Sequence, residues 1–305
     1  MTREQNIIRA ANACRLHIHP SCDDPDLREL LRLDVESLLA LPNAKAVRDT
    51  SHALLVRIER AQGRPALYWK EFRPRCRMDT IKEFFRRSKA ARAWQGSLDL
   101  QRIRLRTARL VAYGEAPRRS PFRMGRSFIV TEEVADAVNL LAFLLNFPSQ
   151  PSVRELSRKR MILREVGRAA GRMHEGGLYH GDLRLGNILL RFGGEERPEL
   201  YFVDTDRVLR RRLPGNRAAV HNLMQIMFLF VPGVTLSDRL RIVEAYAWER
   251  ALGRTAARRL AKSTCAWVQR RVRRRLRIAV IERDPREPVA EMQRLLQGIE
   301  ALRRT

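Results

Sequence analysis

The sequence predicts an α+β fold with a small β-rich front part and a larger helical back part. Three observations predict it. Residues 53–134 hold four short apolar or alternating runs bounded by turn residues, the pattern of strands. From Asn139 onward apolar residues recur at helical spacing, most clearly over 153–174 and 218–230. A brief β interruption, 188–192 and 200–203, lies between those helices around the turn Gly193-Gly194-Glu195-Glu196.

The elements follow in order. Residues 1–40 read as an amphipathic, helix-prone extension, because Leu27, Leu30, Leu31, Leu38 and Leu39 fall roughly on one helical face. Residues 53–60 and 65–72, joined by the turn Ala61-Gln62-Gly63-Arg64, read as a hairpin. Residues 79–87 and 88–101 read as helices, 108–114 and 127–134 as strands, and 239–305 as helices rich in Arg. There is no internal repeat and no low-complexity linker.

Composition narrows the class. Of 305 residues 45% are hydrophobic and 31% charged, which supports a real core and excludes a wholly disordered chain. The longest apolar run, near residues 223–234, is interrupted by Gln225 and Pro232 and falls short of the roughly 18–20 residues of a membrane span. The N-terminus lacks a basic region followed by an apolar stretch, so no secretory signal is expected. Four cysteines, Cys14, Cys22, Cys76 and Cys265, make no disulfide framework and read as reduced thiols in the cytoplasm.

Sixty Lys and Arg stand against 34 Asp and Glu, a net charge of +26. The surplus favours an anionic partner, whether nucleic acid, an acidic membrane face or a phosphorylated glycolipid. It is uneven: residues 1–40 carry five Arg and seven acids, whereas residues 239–305 carry 18 basic and seven acidic residues. The run Arg270, Arg271, Arg273, Arg274, Arg275, Arg277 holds only Trp267 as a neighbouring aromatic, which suits an electrostatic dock on an acidic membrane better than a nucleic-acid groove. A solvated helix face accounts for it as well.

The chemistry concentrates in His180-Gly181-Asp182-Leu183-Arg184-Leu185-Gly186-Asn187, which follows a long predicted helix and enters a strand. The next strand ends in Tyr201-Phe202-Val203-Asp204. An Asp, an Asn five positions on and a hairpin ending in Asp match a kinase catalytic loop. Phosphoryl transfer needs a positioned acceptor and neutralised charge. Asp182 would orient the acceptor hydroxyl, and Asn187 and Asp204 are hard oxygen ligands for Mg²⁺. His180 reads as a brace of the loop. Asp206 reads as a partner of Arg207 rather than a metal ligand.

Lysine is scarce, six residues against 54 Arg, which makes Lys70 in the strand Tyr68-Trp69-Lys70 a candidate for contact with the α- and β-phosphates of ATP. The phosphate-covering loop falls near residues 48–52. It has no glycine, so a cradle there uses backbone N–H groups and the hydroxyls of Thr50 and Ser51. The strand Phe128-Ile129-Val130 leads to Glu132 and Glu133 where an adenine-binding hinge is expected. Cys14, His17, His19 and Cys22 are four candidate zinc ligands, but Pro20 and the spacing match no common zinc module, and an ordinary helix end and turn is the favoured reading.

The sequence resembles the bacterial lipopolysaccharide core kinases, the Kdo/heptose kinase family of the protein-kinase-like superfamily. The likeness rests on Tyr68-Trp69-Lys70-Glu71-Phe72, Ser88-Lys89-Ala90 with Trp94, Val111-Ala112-Tyr113-Gly114-Glu115, the 180–190 loop, and Asp204 with Arg207. The loop alone is also similar to aminoglycoside and choline kinases. The resemblance implies a bilobal protein-kinase-like fold: a helical extension over 1–40, an N-lobe over 41–133 and a C-lobe over 134–305 ending in basic helices. It implies ATP- and Mg²⁺-dependent phosphorylation of a sugar hydroxyl of the lipopolysaccharide inner core, at the cytoplasmic face of the inner membrane, with peripheral association and no specific nucleic acid. By position Lys70 binds phosphate, Asp182 is catalytic, and Asn187 and Asp204 ligate metal. The alternatives are a small-molecule kinase of the aminoglycoside or choline type and a weakly active kinase-like scaffold. The family's helix glutamate, which pairs with the lysine, is Ala93 here, and residues 84–98 contain no acid. Glu71 lies beside Lys70 but points the other way, and Asn222 stands where an Asp commonly anchors the catalytic loop.

Overall fold

The computed structural model describes residues 7–9, 14–61, 63–73, 86–116, 126–193, 198–210, 216–228, 233–282 and 289–304. The chain forms two compact units. The first comprises Met1–Asp99, Thr107–Asp136 and Val203–Arg207, the second Leu100–Arg106, Ala137–Phe202 and Val208–Thr305.

The first unit is built on an antiparallel sheet. Its strands are β1 (Ile7–Arg9), β2 (Arg15–Ile18), β3 (Ala44–Asp49), β4 (Ala53–Ile58), β5 (Leu67–Phe72), β6 (Leu110–Glu115) and β7 (Ser127–Glu132), in the order β1-β2-β6-β7-β5-β4-β3. Strand alternation sends Leu54, Val56, Ile58, Leu67, Trp69, Phe128 and Val130 to one face, where all are buried. Trp69 and Phe128 stack there with ring centroids 3.9 Å apart. Lys70, Phe72 and Ile129 take the opposite face, where Phe72 and Ile129 pack with Ala90 and Ala93 of helix α3 (Lys89–Arg102).

The N-terminal segment departs from the helical expectation. Residues 15–18 form β2, paired with β6, because Leu16 enters the core while His17 stacks on Tyr113 at 4.4 Å. Two short helices follow, α1 (Pro25–Leu30) and α2 (Val35–Leu39). Asp24 accepts a hydrogen bond from the Leu27 N–H (2.8 Å) and Asp34 one from the Ser37 N–H (2.7 Å). Each aspartate starts its own helix, which divides the leucine stripe in two. Leu27, Leu31 and Leu38 cover the Trp69 face. Arg126 closes the arrangement, lying over both rings and bonding to Glu71 (2.9 Å) and to the carbonyl of Leu33 (3.1 Å). β3 gave no sequence signal because it is an edge strand with almost every residue exposed. Of the helix expected over 79–87, residues 79–85 lie outside the described residues, and Arg86 and Arg87 are not helical. Glu83, Cys76, Phe84, Phe85, Phe230 and the 194–196 part of the expected turn also lie outside them.

The second unit is helical around small antiparallel pairings. β8 (Ala137–Asn139), β10 (Ile188–Arg191) and β11 (Glu199–Phe202) pair in the order β11-β10-β8, and β9 (Leu178–His180) pairs with β12 (Val208–Arg210). The helices are α4 (Leu140–Leu145), α5 (Val153–Glu175), α6 (Asn216–Met227), α7 (Leu236–Glu249), α8 (Arg254–Glu282) and α9 (Val289–Arg304). Capping boxes, Ser152 with Glu155 and Thr235 with Asp238, start α5 and α7. These two helices pack closely: a Cβ on Gly167 would lie 2.2 Å from the carbonyl oxygen of Ile242. Lys159 and Asp238, both almost fully buried, form an ion pair at 2.9 Å, and Lys159 also donates to the Gly233 carbonyl at 2.6 Å. Among the described residues no helix is long and apolar enough to cross a membrane.

Covering the Trp69 face is a packing role, so truncating it should cost stability. Leu38→Ala is expected to destabilise by about 2–5 kcal/mol, read from the urea unfolding midpoint. A variant as stable as the parent would show that α2 does not share in the core.

Candidate active site

The first unit carries the lysine and one candidate metal ligand. β5 alternation turns Lys70 away from the Trp69 core, and its Nζ lies 2.5 Å from Asp204 Oδ1. Glu71 points to the other face, as its position predicts, and binds Trp69 Nε1 (3.0 Å) and Arg126. The counter-charge of Lys70 is therefore a carboxylate 134 residues beyond it in the chain.

Asp204 holds a left-handed backbone, φ 60°, a conformation that costs an ordinary residue about 1–2 kcal/mol. The next residue fixes it. Thr205 Oγ1 donates to the Ala93 carbonyl at 2.7 Å and lies 2.9 Å from Ser97 Oγ. Ala93, the residue that lacks the carboxylate, thus contributes its backbone to placing Asp204.

Asp206 corrects the expectation of an Arg207 partner: its carboxyl is hydrogen-bonded to Asp204, and Arg207 acts on it only weakly. Burial, then the negative charge of Asp204, push its pKa up to about 6, against the opposing charge of Lys70.

The expected cradle residues form a self-contained turn. The Thr50 hydroxyl donates to the Ala53 carbonyl (3.0 Å) and accepts from the N–H groups of His52 (3.3 Å) and Ala53 (3.2 Å). Ser51 lies exposed, 3.2 Å from His52 Nδ1. At the expected hinge, the Glu132 N–H donates to the Arg109 carbonyl and the Glu133 N–H to the Ala66 carbonyl. Their carboxylates pair with Arg109 and Arg57. Neither N–H is thus open to a base. Among the described residues no three His, Cys, Asp or Glu side chains converge as a metal site, so Cys14, His17, His19 and Cys22 form none.

The second unit carries the loop. Asp182 is held bidentately by Arg184, with Nε–Oδ1 at 2.7 Å and Nη2–Oδ2 at 2.8 Å. Asn187 Nδ2 donates to the Asp182 carbonyl at 2.9 Å, which leaves its amide oxygen as an acceptor. His180 is fully buried and braces the loop as expected, its Nδ1 accepting the Asp182 N–H at 3.2 Å.

Helix α6 anchors this loop through neutral amides. Asn222 Nδ2 donates to the His180 carbonyl and to Gln225 Oε1. Gln225 accepts from the Leu183 N–H (3.0 Å) and donates to the Gly181 carbonyl (3.0 Å). With the Asn222 amide nitrogen so engaged, its oxygen accepts from His174 Nε2 at 2.9 Å, and His174 Nδ1 then accepts from the Tyr246 hydroxyl at 2.9 Å. Sequence reasoning found Asn222 but missed Gln225, one helical turn on, and His174. It also missed Thr205 and Ser97, which no motif marks.

His174 is neutral in this network. Burial lowers its pKa to about 4; the Asn222 hydrogen bond opposes this and the Arg250 charge adds to it. The unfolded chain takes up this proton near pH 6.5 and the folded chain only near 4, so stability falls as pH drops through that window. We expect a loss of up to roughly 3 kcal/mol between pH 6.5 and 4. His174→Gln should flatten that part of the profile in urea titrations; an unchanged slope would assign the acid sensitivity to another group.

A family model described as "Lipopolysaccharide kinase (Kdo/WaaP) family" matches residues 55–246. The chain is 31% identical over 164 residues to the lipopolysaccharide core heptose(I) kinase WaaP of Pseudomonas aeruginosa, a match covering 52% of this chain and 59% of that protein. It is 32% identical over 79 residues to the KEOPS complex subunit Bud32 of Pyrococcus abyssi, covering 26% of this chain and 30% of that one. Among solved structures, WaaP in complex with acyl carrier protein superposes with a TM-score of 0.60 at 26% identity, covering 84% of this chain and 97% of that chain.

Proposed function

Because the chain belongs to the lipopolysaccharide kinase (Kdo/WaaP) family, we propose that it transfers the γ-phosphate of ATP to a sugar hydroxyl of the lipopolysaccharide inner core. The observation that carries this reading is the Lys70–Asp204 pair: an isolated strand lysine meets a strained aspartate just past a hairpin. Phosphoryl transfer uses a phosphate-binding lysine and a metal-binding aspartate, and this pair brings the two candidates for those roles together.

The donor set suits Mg²⁺. Burial and then the charge of Asp204 raise the pKa of Asp206, which keeps two carboxylates side by side, and the bond of the Asn187 amide nitrogen to the Asp182 carbonyl leaves the amide oxygen as an acceptor. Hard oxygen donors of this kind favour a small divalent cation. Asp204 and Asn187 would hold it, and it would supply charge neutralisation on the phosphates. Lys70 binds the α- and β-phosphates. Asp182, released from Arg184, accepts the hydrogen bond of the acceptor hydroxyl, orients its oxygen toward the γ-phosphorus and takes its proton late in the transfer.

The protein then works at the cytoplasmic face of the inner membrane. Over residues 254–275 helix α8 carries nine Lys and Arg and no acid, a charge excess suited to peripheral binding of anionic lipid. Trp267, 42% exposed with Arg270 over its ring, suits the headgroup boundary.

ATP with Mg²⁺ is expected to raise the melting temperature of the wild type and to raise it less in Asp204→Ala. An equal shift in both would remove Asp204 from the nucleotide site. Asp182→Asn is expected to keep the nucleotide shift but lower phosphate incorporation into extracted lipopolysaccharide by about 10²-fold or more. Undiminished incorporation would refute the role given to Asp182, and equal labelling of small amines would refute the substrate class.

A further inference from the structure

The N–H groups of Glu132 and Glu133, where the sequence expects an adenine-binding hinge, are spent on bonds to the carbonyls of Arg109 and Ala66. The sheet face beside them offers another means of holding a base. Tyr68 and Lys70 stand two apart on β5, so their side chains share one face, about 7 Å apart along the strand. Arg57 of β4 and Thr131 of β7 pair with Tyr68 across the sheet, as Leu55 and Ile129 pair with Lys70. One end of this face is covered: Phe72 and Ile129, each 6% exposed, pack with Ala90 and Ala93 of α3. At the other end Leu55, Arg57, Tyr68 and Thr131 are only half-buried.

The Tyr68 ring is fixed from its hydroxyl. That hydroxyl donates to Glu133 Oε1 at 3.3 Å. Arg57 grips the same carboxylate with two bonds, Nε to Oε1 at 2.9 Å and Nη2 to Oε2 at 2.8 Å, and its Nη1 binds Glu59 at 2.8 Å. The bonds from Arg57 hold the Glu133 carboxyl below its ordinary range, while burial and then the Glu133 charge raise the Tyr68 phenol. The phenol therefore stays the donor and the carboxylate the acceptor. The next residue, Trp69, stacks on Phe128 in the core at 3.9 Å; among the described residues Tyr68 has no such ring partner. Lys70 leans toward the covered end, its Nζ 5.0 Å from the Phe72 ring centroid.

We propose that Tyr68 is the platform on which the base of the nucleotide stacks, with Glu133 and Arg57 as the positioning residues that hold its ring. The proposal rests on the kinase reading above and deepens it: Lys70 takes the phosphates, and Tyr68, on the same strand face, takes the base. Every nucleobase has a π-face, so a ring held in place binds it without a hydrogen bond from the N–H of Glu132 or Glu133. A ring already fixed loses little freedom when the base arrives, which is what the bond to Glu133 contributes. Tyr68 acts on nucleotide affinity and touches neither the acceptor nor the transferred phosphate.

The test compares ATP with inorganic tripolyphosphate, which carries the charge and no base, on the full chain with Mg²⁺. ATP binding is read by calorimetry and tripolyphosphate by competition against it. Tyr68→Leu is expected to weaken ATP binding about tenfold and to leave the affinity for tripolyphosphate unchanged. Tyr68→Phe keeps the ring and loses its tether, so it should lose less than Tyr68→Leu. In transfer assays the ATP KM rises in Tyr68→Leu and the acceptor KM does not. Wild-type ATP affinity in a folded Tyr68→Leu protein would overturn the platform. So would an equal loss for ATP and tripolyphosphate, which would trace the effect to a displaced β5 and Lys70. So would a Tyr68→Phe protein as weak as Tyr68→Leu, which would assign the effect to the hydroxyl. If Tyr68→Leu loses ATP selectively but no phosphate transfer occurs with any acceptor, the platform stands and the kinase reading fails. If transfer proceeds and Tyr68→Leu leaves the ATP KM unchanged, the reverse holds.

Discussion

The ion pair between Lys70 and Asp204 is the constraint around which the first unit is arranged. A cation on a half-buried sheet face needs a counter-charge, and residues 84–98 contain no acid to supply one. The pairing is instead with the aspartate itself, at 2.5 Å. That choice has structural consequences. Asp204 takes an unfavourable backbone conformation, and Thr205 binds the helix backbone at Ala93 and neighbours Ser97. The helix contributes its backbone, through the Ala93 carbonyl, to the placing of Asp204. Asp206 shares the same environment and sits against Asp204 rather than Arg207, so two acids share one lysine.

The second unit handles its loop in the opposite way, with amides. Asn222 and Gln225 together bind the carbonyls of His180 and Gly181 and the N–H of Leu183. An amide both donates and accepts, so it can satisfy carbonyls that a carboxylate would repel. Asn at position 222 therefore fits the particular groups the loop presents. His174 must then be neutral and of one tautomer, since its Nε2 faces an oxygen and its Nδ1 a hydroxyl.

Much of this was legible because it is written locally. The strands 188–192 and 200–203 and the helices over 153–174 and 218–230 appear within a residue or a few of their expected limits. The orientation of Glu71 away from Lys70 followed from strand alternation alone. What was not legible depends on distant partners. Residues 15–18 have too little pattern to outweigh the leucines that follow, and become a strand only because β6 is there to pair with them. Asp206 beside Arg207 suggested a neighbour pair, whereas the folded chain brings it to Asp204. Thr50 was a plausible phosphate ligand from its place in a turn, yet the turn itself uses its hydroxyl. For Lys70, no local reading could supply a partner at Asp204.

The leucines of α1 and α2 bear on where this protein can be cut. The stretch recognisable by family likeness starts at residue 55, inside β4. A fragment trimmed to that boundary would discard β3, the two short helices and β2, and with them the lid over Trp69 and Phe128. What remained would be a sheet with its oily side bare and both edges unzipped, prone to clump with its own kind. The opening fifty residues, which precede the family match, are thus the ones an excised fragment could least do without.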